Sequence, residues 1–261
     1  MSTFSGPYRS GPCPSAVQNS RTWDREPYCA APEDLGSRSF TLDDFPRRPL
    51  VSVLLPVLNP TERWLRRAIE TVTQQSYPHW QLCVACDGST NQRLRWLLEE
   101  SGAQDARIVV RFLPRASDIA QVSNAALEMC RGELTAMLDP EDELTVDALL
   151  HLAWEAVHHP ECDLLFSEKQ VIAPQGNHQA SLSHRRGQDP SGLSSPEGKH
   201  LSACQTLRLR QTGGFRTKVK QPMNWEIALN SAGGASSPSA RARHIPQVLY
   251  RRRLCAWHQP S

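Results

Sequence analysis

Between residues 50 and 166 the hydrophobic positions of the chain alternate between two rhythms. Leu50 to Val57 is a short, nearly continuous apolar run rich in β-branched residues and closed by Asn59-Pro60, the pattern of a buried strand ending in a loop. Thr61 can cap a helix in which Trp64, Leu65, Ala68, Ile69 and Val72 recur at the three-and-four spacing of one helical face, and Pro78 stops it. The unit then repeats in kind. Trp80 to Cys86 predicts a second strand, and Asp87-Gly88-Ser89-Thr90 a turn that also caps a helix over Gln92 to Ser101. Strands follow at Ile108 to Phe112, Leu134 to Leu138 and Asp163 to Phe166, with helices at Ile119 to Cys130 and Leu144 to His158. Strands alternating with helices of this length call for parallel crossovers, so the fold class is α/β, a doubly wound, mostly parallel sheet flanked by helices. Ligands of such sheets bind outside the carboxyl ends of the strands, which points to the loops at Asn59, Asp87 and Asp139.

On either side the rhythm fades. Residues 1–48 are rich in Ser, Pro, Gly and Arg with no helical or strand period, the composition of a disordered N-terminal leader. Residues 169–199 read as a loop or low-complexity insert, its stretch from 173 dominated by Ser, Gly, Pro, His and Gln. Residues 200–261 resume with an ordered segment from His200 to Leu209, then Gly213-Gly214-Phe215. A helix around Trp225 to Leu229, a polar gap from Gly233 to Ala240 and a short strand at Val248 to Tyr250 complete the chain.

A chain of 261 residues supports one sizeable core. Its net charge of +2 argues against nucleic acid as a partner, yet the balance is uneven: His184 to Ser261 carries 13 Lys+Arg against 3 Asp+Glu. That basic third is either a surface for anions, such as a diphosphate or the acidic face of a membrane, or a solvated tail. No apolar run approaches the roughly 18 residues that span a bilayer, and the first 30 residues hold no signal-peptide core. The expected location is cytoplasmic, with peripheral contact to the inner face of a membrane open to the basic third. The 8 cysteines lie singly along the chain, which fits reduced thiols better than a disulfide scaffold. Cys83 and Cys86 form a CxxC, but on a strand positions three apart face opposite sides, and zinc would need a second ligand pair.

Two loops carry candidate chemistry. Asp139, Glu141, Asp142 and Glu143 fall within five positions at the carboxyl end of a predicted strand. Such a cluster needs a compensating cation, and hard oxygen ligands suit Mg²⁺ or Mn²⁺ bridging to substrate phosphates. Alternatively Asp142 and Glu143 begin the following helix, where acidic groups favour its dipole. Asp87 with Ser89 ends the second strand, where a carboxylate could accept hydrogen bonds from a base or a ribose hydroxyl, or could serve turn chemistry alone.

The segments PLVSVLLPVLNP, WLRRAIETVTQQSYPHWQLCVACDGST and VSNAALEMCRGELTAMLDPEDEL together resemble, in order, spacing and residue type, the sugar-nucleotide-binding half of family 2 glycosyltransferases. The resemblance covers about 120 residues from Pro49 to Ser167, the span of one α/β half-domain. HLSACQTLRLRQTGGFR is similar to the family's acceptor-side segment and HIPQVLY to its closing strand. The resemblance implies a GT-A fold, a nucleotide-diphosphate-sugar donor, a divalent metal and a glycan or lipid-linked acceptor. It further implies that Pro56, Val57 and Asn59 abut the nucleobase, that Asp87 binds the base, and that Asn124 lies on the helix facing the donor. Asp139 and Glu141 occupy the metal-binding Asp-x-Asp positions, the second lengthened by one methylene.

The acceptor half departs from the pattern. QPMNWEIAL aligns with the stretch whose first carboxylate acts as general base in the family, and Asn224 stands there. An amide cannot take a proton from a hydroxyl near neutral pH. Glu226 lies two residues on, and positions two apart do not share a helical face. FSEKQVI leaves Glu168 with Lys169 where a carboxylate is expected, and Cys255 and His258 fall near the place of a family histidine. Two functions remain open: an inverting, metal-dependent glycosyltransferase of glycan or polysaccharide synthesis, or a catalytically impaired relative that binds a sugar nucleotide or a partner. A dinucleotide-dependent oxidoreductase is disfavoured because PVLNPTERW, without GxGxxG, follows the first strand. The basic third also lacks the interleaved aromatics of a nucleic-acid module.

Overall fold

The structure, a computed structural model, describes residues 28–29, 40–88, 91–114, 118–173, 178–182, 201–215 and 242–254. Its first half runs β1 (Tyr28–Cys29), β2 (Val51–Val57), α1 (Glu62–Thr73), β3 (Trp80–Cys86), α2 (Gln92–Gln104), β4 (Ile108–Phe112) and α3 (Ile119–Met129). The second runs β5 (Leu134–Met137), β6 (Glu143–Leu144), α4 (Ala148–His158), β7 (Leu164–Ile172), β8 (His178–Leu182), β9 (Ser202–Gln205), α5 (Thr206–Gln211) and β10 (Ala242–Arg253).

One sheet joins the strands in the order β1-β10-β7-β9-β5-β2-β3-β4, with β6 on β10 and β8 on β7. β2 pairs parallel with both β3 and β5, and β3 parallel with β4. The chain therefore winds outward from β2 to β4 and returns through α3 to the other side of β2, which makes the β2/β5 boundary the topological switch point. β7 and β10 are also parallel, but β9 lies antiparallel between β5 and β7, so the sheet is mixed.

β2 and β3 are buried along their whole length, as expected of central strands covered on both faces. Val53, Leu55, Leu82, Val84 and Cys86 pack with α1, α2 and α4 on one side. Leu54, Cys83 and Ala85 pack with α3, Leu209 and Phe215 on the other. Cys83 and Cys86 thus belong to opposite layers, as the strand period requires.

Several elements differ from the sequence pattern. α4 begins at Ala148, not at Leu144, because Glu143 and Leu144 pair with Arg251 and Tyr250 as β6. Asp142 and Glu143 consequently do not open a helix. α2 is capped by Asn91, whose side chain accepts the Leu94 N–H at 3.1 Å, and not by the Asp87 turn. The closing strand spans twelve residues instead of three, its polar ends held by ion pairs of Arg243 with Glu155 and of Arg253 with Glu143. Beyond Ser167 the chain stays extended to Ile172, and β8 lies within the span read as an insert. The helix around Trp225 to Leu229 and the gap from Gly233 to Ala240 lie outside the described residues, as does the leader apart from Tyr28–Cys29 and residues 40–48. The end of the leader is ordered, contrary to its composition: Leu42–Asp44 form a 3-10 turn, and Phe45 is buried in the core beside Tyr77 and Trp154. Among the described residues no helix is long and apolar enough to cross a membrane.

Candidate active site

The switch point gathers the carboxyl ends of β3, β2 and β5. Val57 pairs with Cys86, and the Asp87 N–H donates to the Val57 carbonyl at 3.1 Å, so Asp87 is carried to the end of β2. β5 leaves earlier: Met137 is matched with Leu54, the Leu138 N–H donates to the Leu54 carbonyl at 3.0 Å, and the chain then turns away. On the β5 side the edge of β2 past Leu54 has no pairing strand among the described residues. Pro56 and Val57, both buried, therefore end β2 with Asp87 following β3 on one side and the chain after β5 turned away on the other.

Asp87 is 6% exposed, and its loop is packed tightly enough that a side chain at Gly88 would lie 2.0 Å from the Pro114 carbonyl oxygen. Asn59 sits beyond the strand at φ +49°, a conformation asparagine tolerates, and its side-chain oxygen accepts from the Asn91 amide at 3.3 Å. That contact ties the β2 loop to the start of α2. Ser89 lies outside the described residues.

Two carboxylates of the acidic loop are bound into the fold. Asp142 is buried: Oδ2 accepts from the Tyr250 hydroxyl at 2.7 Å and Oδ1 from the Arg253 N–H at 2.7 Å. Glu143 accepts from the Arg67 Nε at 3.2 Å and pairs with the Arg253 guanidinium, which also donates to the Glu141 carbonyl at 3.1 Å. Asp139 and Glu141 remain half-buried at the turn, where Asp139 Oδ1 accepts the Glu141 N–H at 3.1 Å. The Asp139 N–H in turn donates to the Tyr250 hydroxyl at 3.3 Å. Burial, followed by the charges of Asp142 and Asp139, pushes the Tyr250 hydroxyl well above its usual range, so it stays protonated and donates to Asp142. Tyr250 and Arg253 thus fix the loop from the closing strand. Sequence reading missed both, although a Tyr ending an apolar run and followed by Arg251-Arg252-Arg253 was the signal available.

Asn124 reaches from α3 to the Gly-Gly-Phe turn. Its amide nitrogen donates to the Phe215 carbonyl at 2.8 Å and its oxygen accepts the Phe215 N–H at 2.8 Å. Gly214 is at φ +72°, and a Cβ there would meet the Asn124 oxygen at 2.4 Å, so the turn requires glycine. Glu168 meets His244 across β7 and β10 at 3.0 Å, with Phe166 stacked on the imidazole, while Lys169 is buried. Asn224, Glu226, Cys255 and His258 lie outside the described residues.

Among the described residues no group of three His, Cys, Asp or Glu side chains is placed to hold a cation. Asp139 and Glu141 are hard oxygen donors half-buried at the turn after β5, the donor chemistry of ions held through one or two carboxylates and completed by substrate phosphates and water.

The family model for glycosyl transferase family 2 matches residues 52–217. An uncharacterized protein, y4gI, of Sinorhizobium fredii is 31% identical over 77% of this chain and 22% of its own length. The O-antigen biosynthesis protein RfbC of Myxococcus xanthus is 28% identical over 88% of this chain and 18% of its own. The chain thus spans about a fifth of the length of these relatives. Among solved structures, S. aureus TarS in complex with UDP-GlcNAc superposes with a TM-score of 0.63 at 16% identity, covering 79% of this chain and 59% of that one. A mannosyltransferase of Pyrobaculum calidifontis in complex with GDP-Man and Mn²⁺ gives 0.59 at 16% identity, over 79% and 57%. Likeness at this identity extends to the fold.

Proposed function

Because the chain belongs to glycosyl transferase family 2, we propose that it transfers a sugar from a nucleotide-diphosphate donor to an acceptor hydroxyl in polysaccharide or O-antigen synthesis. The observation that carries this reading is the anchoring of the Asp139 loop. Tyr250, Arg253 and Arg67 anchor Asp142 and Glu143, and that anchoring sets Asp139 and Glu141 at the carboxyl end of β5, beside the switch point where such sheets bind ligands.

In this reading the nucleobase lies over Pro56, Val57 and Asn59, and the Asp87 carboxylate accepts its hydrogen bonds. Asp139 and Glu141 hold the divalent ion, Mn²⁺ or Mg²⁺, which supplies offsetting charge for the departing diphosphate. Asn124 holds the Gly-Gly-Phe turn in register with α3 and so shapes the wall that faces the donor. Inversion at the anomeric carbon requires a base on the acceptor side. Asn224 in that position favours a second reading, in which the donor is bound and turned over slowly or not at all.

The test is an assay of transfer and donor hydrolysis with UDP, GDP and dTDP sugars in the presence of Mn²⁺. Turnover with one of them is the expected result, and Asn224→Asp raises it if the base alone is lost. Donor binding without turnover in both proteins would overturn the transferase reading in favour of the second.

A further inference from the structure

A second concave surface of about 800 Å³ lies between the outer face of α1 and the ends of β10 and β7. Its walls carry five arginines, Arg63, Arg66, Arg67, Arg251 and Arg253, against three glutamates, Glu62, Glu70 and Glu143. The glutamates are committed. Glu62 pairs with Arg66 at 3.6 Å, Glu70 with Arg67 at 3.4 Å, and Glu143 with both Arg67 and Arg253. Arg63 and Arg251 are left without a carboxylate among the described residues, and the groove keeps an excess of two positive charges.

Two donors in this wall are orphaned. Arg253 is 5% exposed and its Nη1 has no hydrogen-bond partner, and Arg251 Nε is buried in the same condition. A buried N–H without an acceptor costs its full desolvation penalty, and such groups call for an unseen ion, ligand or water. The guanidiniums are also prearranged: Arg253 stacks 3.7 Å and Arg63 4.4 Å from the Trp64 ring centroid. A stacked guanidinium loses less freedom when it takes up a planar oxyanion, for which its fork is suited.

We propose that this groove binds a carboxylate or phosphate group on the acceptor saccharide, making the acceptor an acidic glycan. The proposal rests on the sugar-transfer reading above. Its position supports it, since Arg253 both lines the groove and donates to the Glu141 carbonyl at 3.1 Å. An anion held there lies beside the donor loop without occupying Asp139 or Asp87. A groove of this size accommodates a saccharide unit, and ligand pockets of small molecules fall in the same range.

Calorimetry of the full chain with hexagalacturonate, a glycerol-phosphate hexamer and neutral maltohexaose decides the matter, with UDP, GDP and dTDP, each with Mn²⁺, titrated into each sample. One or both acidic hexamers bind and maltohexaose does not, and the stronger of the two identifies carboxylate or phosphate. The double variant Arg63→Gln/Arg251→Gln weakens that binding at least about tenfold, the worth of one charge-assisted hydrogen bond, and leaves nucleotide binding and the melting temperature unchanged, which reports that it is folded. Equal binding of maltohexaose, an unaffected double variant, or displacement of the hexamer by any of the nucleotides would overturn the proposal. Failure of UDP, GDP and dTDP alike to bind the wild type with Mn²⁺, with hexamer binding intact, overturns the sugar-transfer reading and leaves the acidic-saccharide site standing.

Discussion

At the scale of single residues, the loop after β5 shows that charge alone does not reveal a role. Asp139, Glu141, Asp142 and Glu143 are chemically similar in sequence, and only the closing strand separates them, by engaging Asp142 and Glu143 through Tyr250 and Arg253. Replacing Tyr250 by Phe removes a donor from a buried carboxylate and an acceptor from the Asp139 N–H. The expected cost is about 1–3 kcal/mol of stability, read as a lowered midpoint in urea, together with weakened donor binding because the loop is released. Unchanged donor binding would show that Arg253 alone suffices to fix the loop. Asn124 is the second instructive residue. Its position on α3 suggested a side facing the donor, and its amide is occupied by both backbone groups of Phe215. Asn124→Ala strands that N–H and carbonyl, so the variant should lose about 1–3 kcal/mol and lower Tm by about 2–4 °C per kcal/mol in calorimetry. A Tm equal to the wild type would mean that the turn holds without the clamp.

Among the elements, the parallel βαβ half was legible because each strand is a continuous apolar run bounded by turn residues and each helix keeps one apolar face. β2 and β3 are found over nearly the residues their patterns mark. The antiparallel elements were harder. β9 reads Ser-Ala-Cys-Gln, which has no strand rhythm, and is specified by its neighbours β5 and β7. β6 is two residues long, and its Leu144 continues the apolar spacing of α4, so only the tertiary pairing with Tyr250 marks it as strand. β10 was seen only at its apolar centre, because Arg243 and Arg253 are inside through ion pairs with Glu155 and Glu143, a compensation that sequence does not display.

α4 carries a pH response of its own. His151 is edge-on to Phe40 at 4.9 Å and faces Asp147 at 3.4 Å. Burial depresses its pKa below the usual 6.5 despite the pull of Asp147 and Glu155. The unfolded chain therefore binds a proton more readily than the folded one. The stability His151 contributes is full above its unfolded pKa and is lost as pH falls below 6.5 through the folded value. Melting curves between about pH 5 and pH 7.5 should show this decline, reduced in His151→Gln. A decline identical in the variant would assign it to other groups.

For the molecule as a whole, sequence pattern, fold and family model agree over the parallel half and on to the Gly-Gly-Phe turn, and residues 216–241 lie outside the described residues. The winding of β2, β3, β4 and β5 makes a switch point out of four strands that lie within 90 residues of one another, so local patterns suffice to build it. The acceptor side draws on segments far apart in the chain, and Asn224, which the family resemblance sets in the base's place, lies outside the described residues. The central claim is accordingly that Asp139, with Glu141, holds a metal-bound sugar nucleotide at the end of β5. Its most direct test is calorimetric titration of the chain and of Asp139→Ala with UDP-GlcNAc and GDP-mannose, each with and without Mn²⁺. The account predicts that the wild type binds one of them tightly only with Mn²⁺ and that Asp139→Ala abolishes this dependence. Mn²⁺-dependent binding that survives Asp139→Ala unchanged would contradict it.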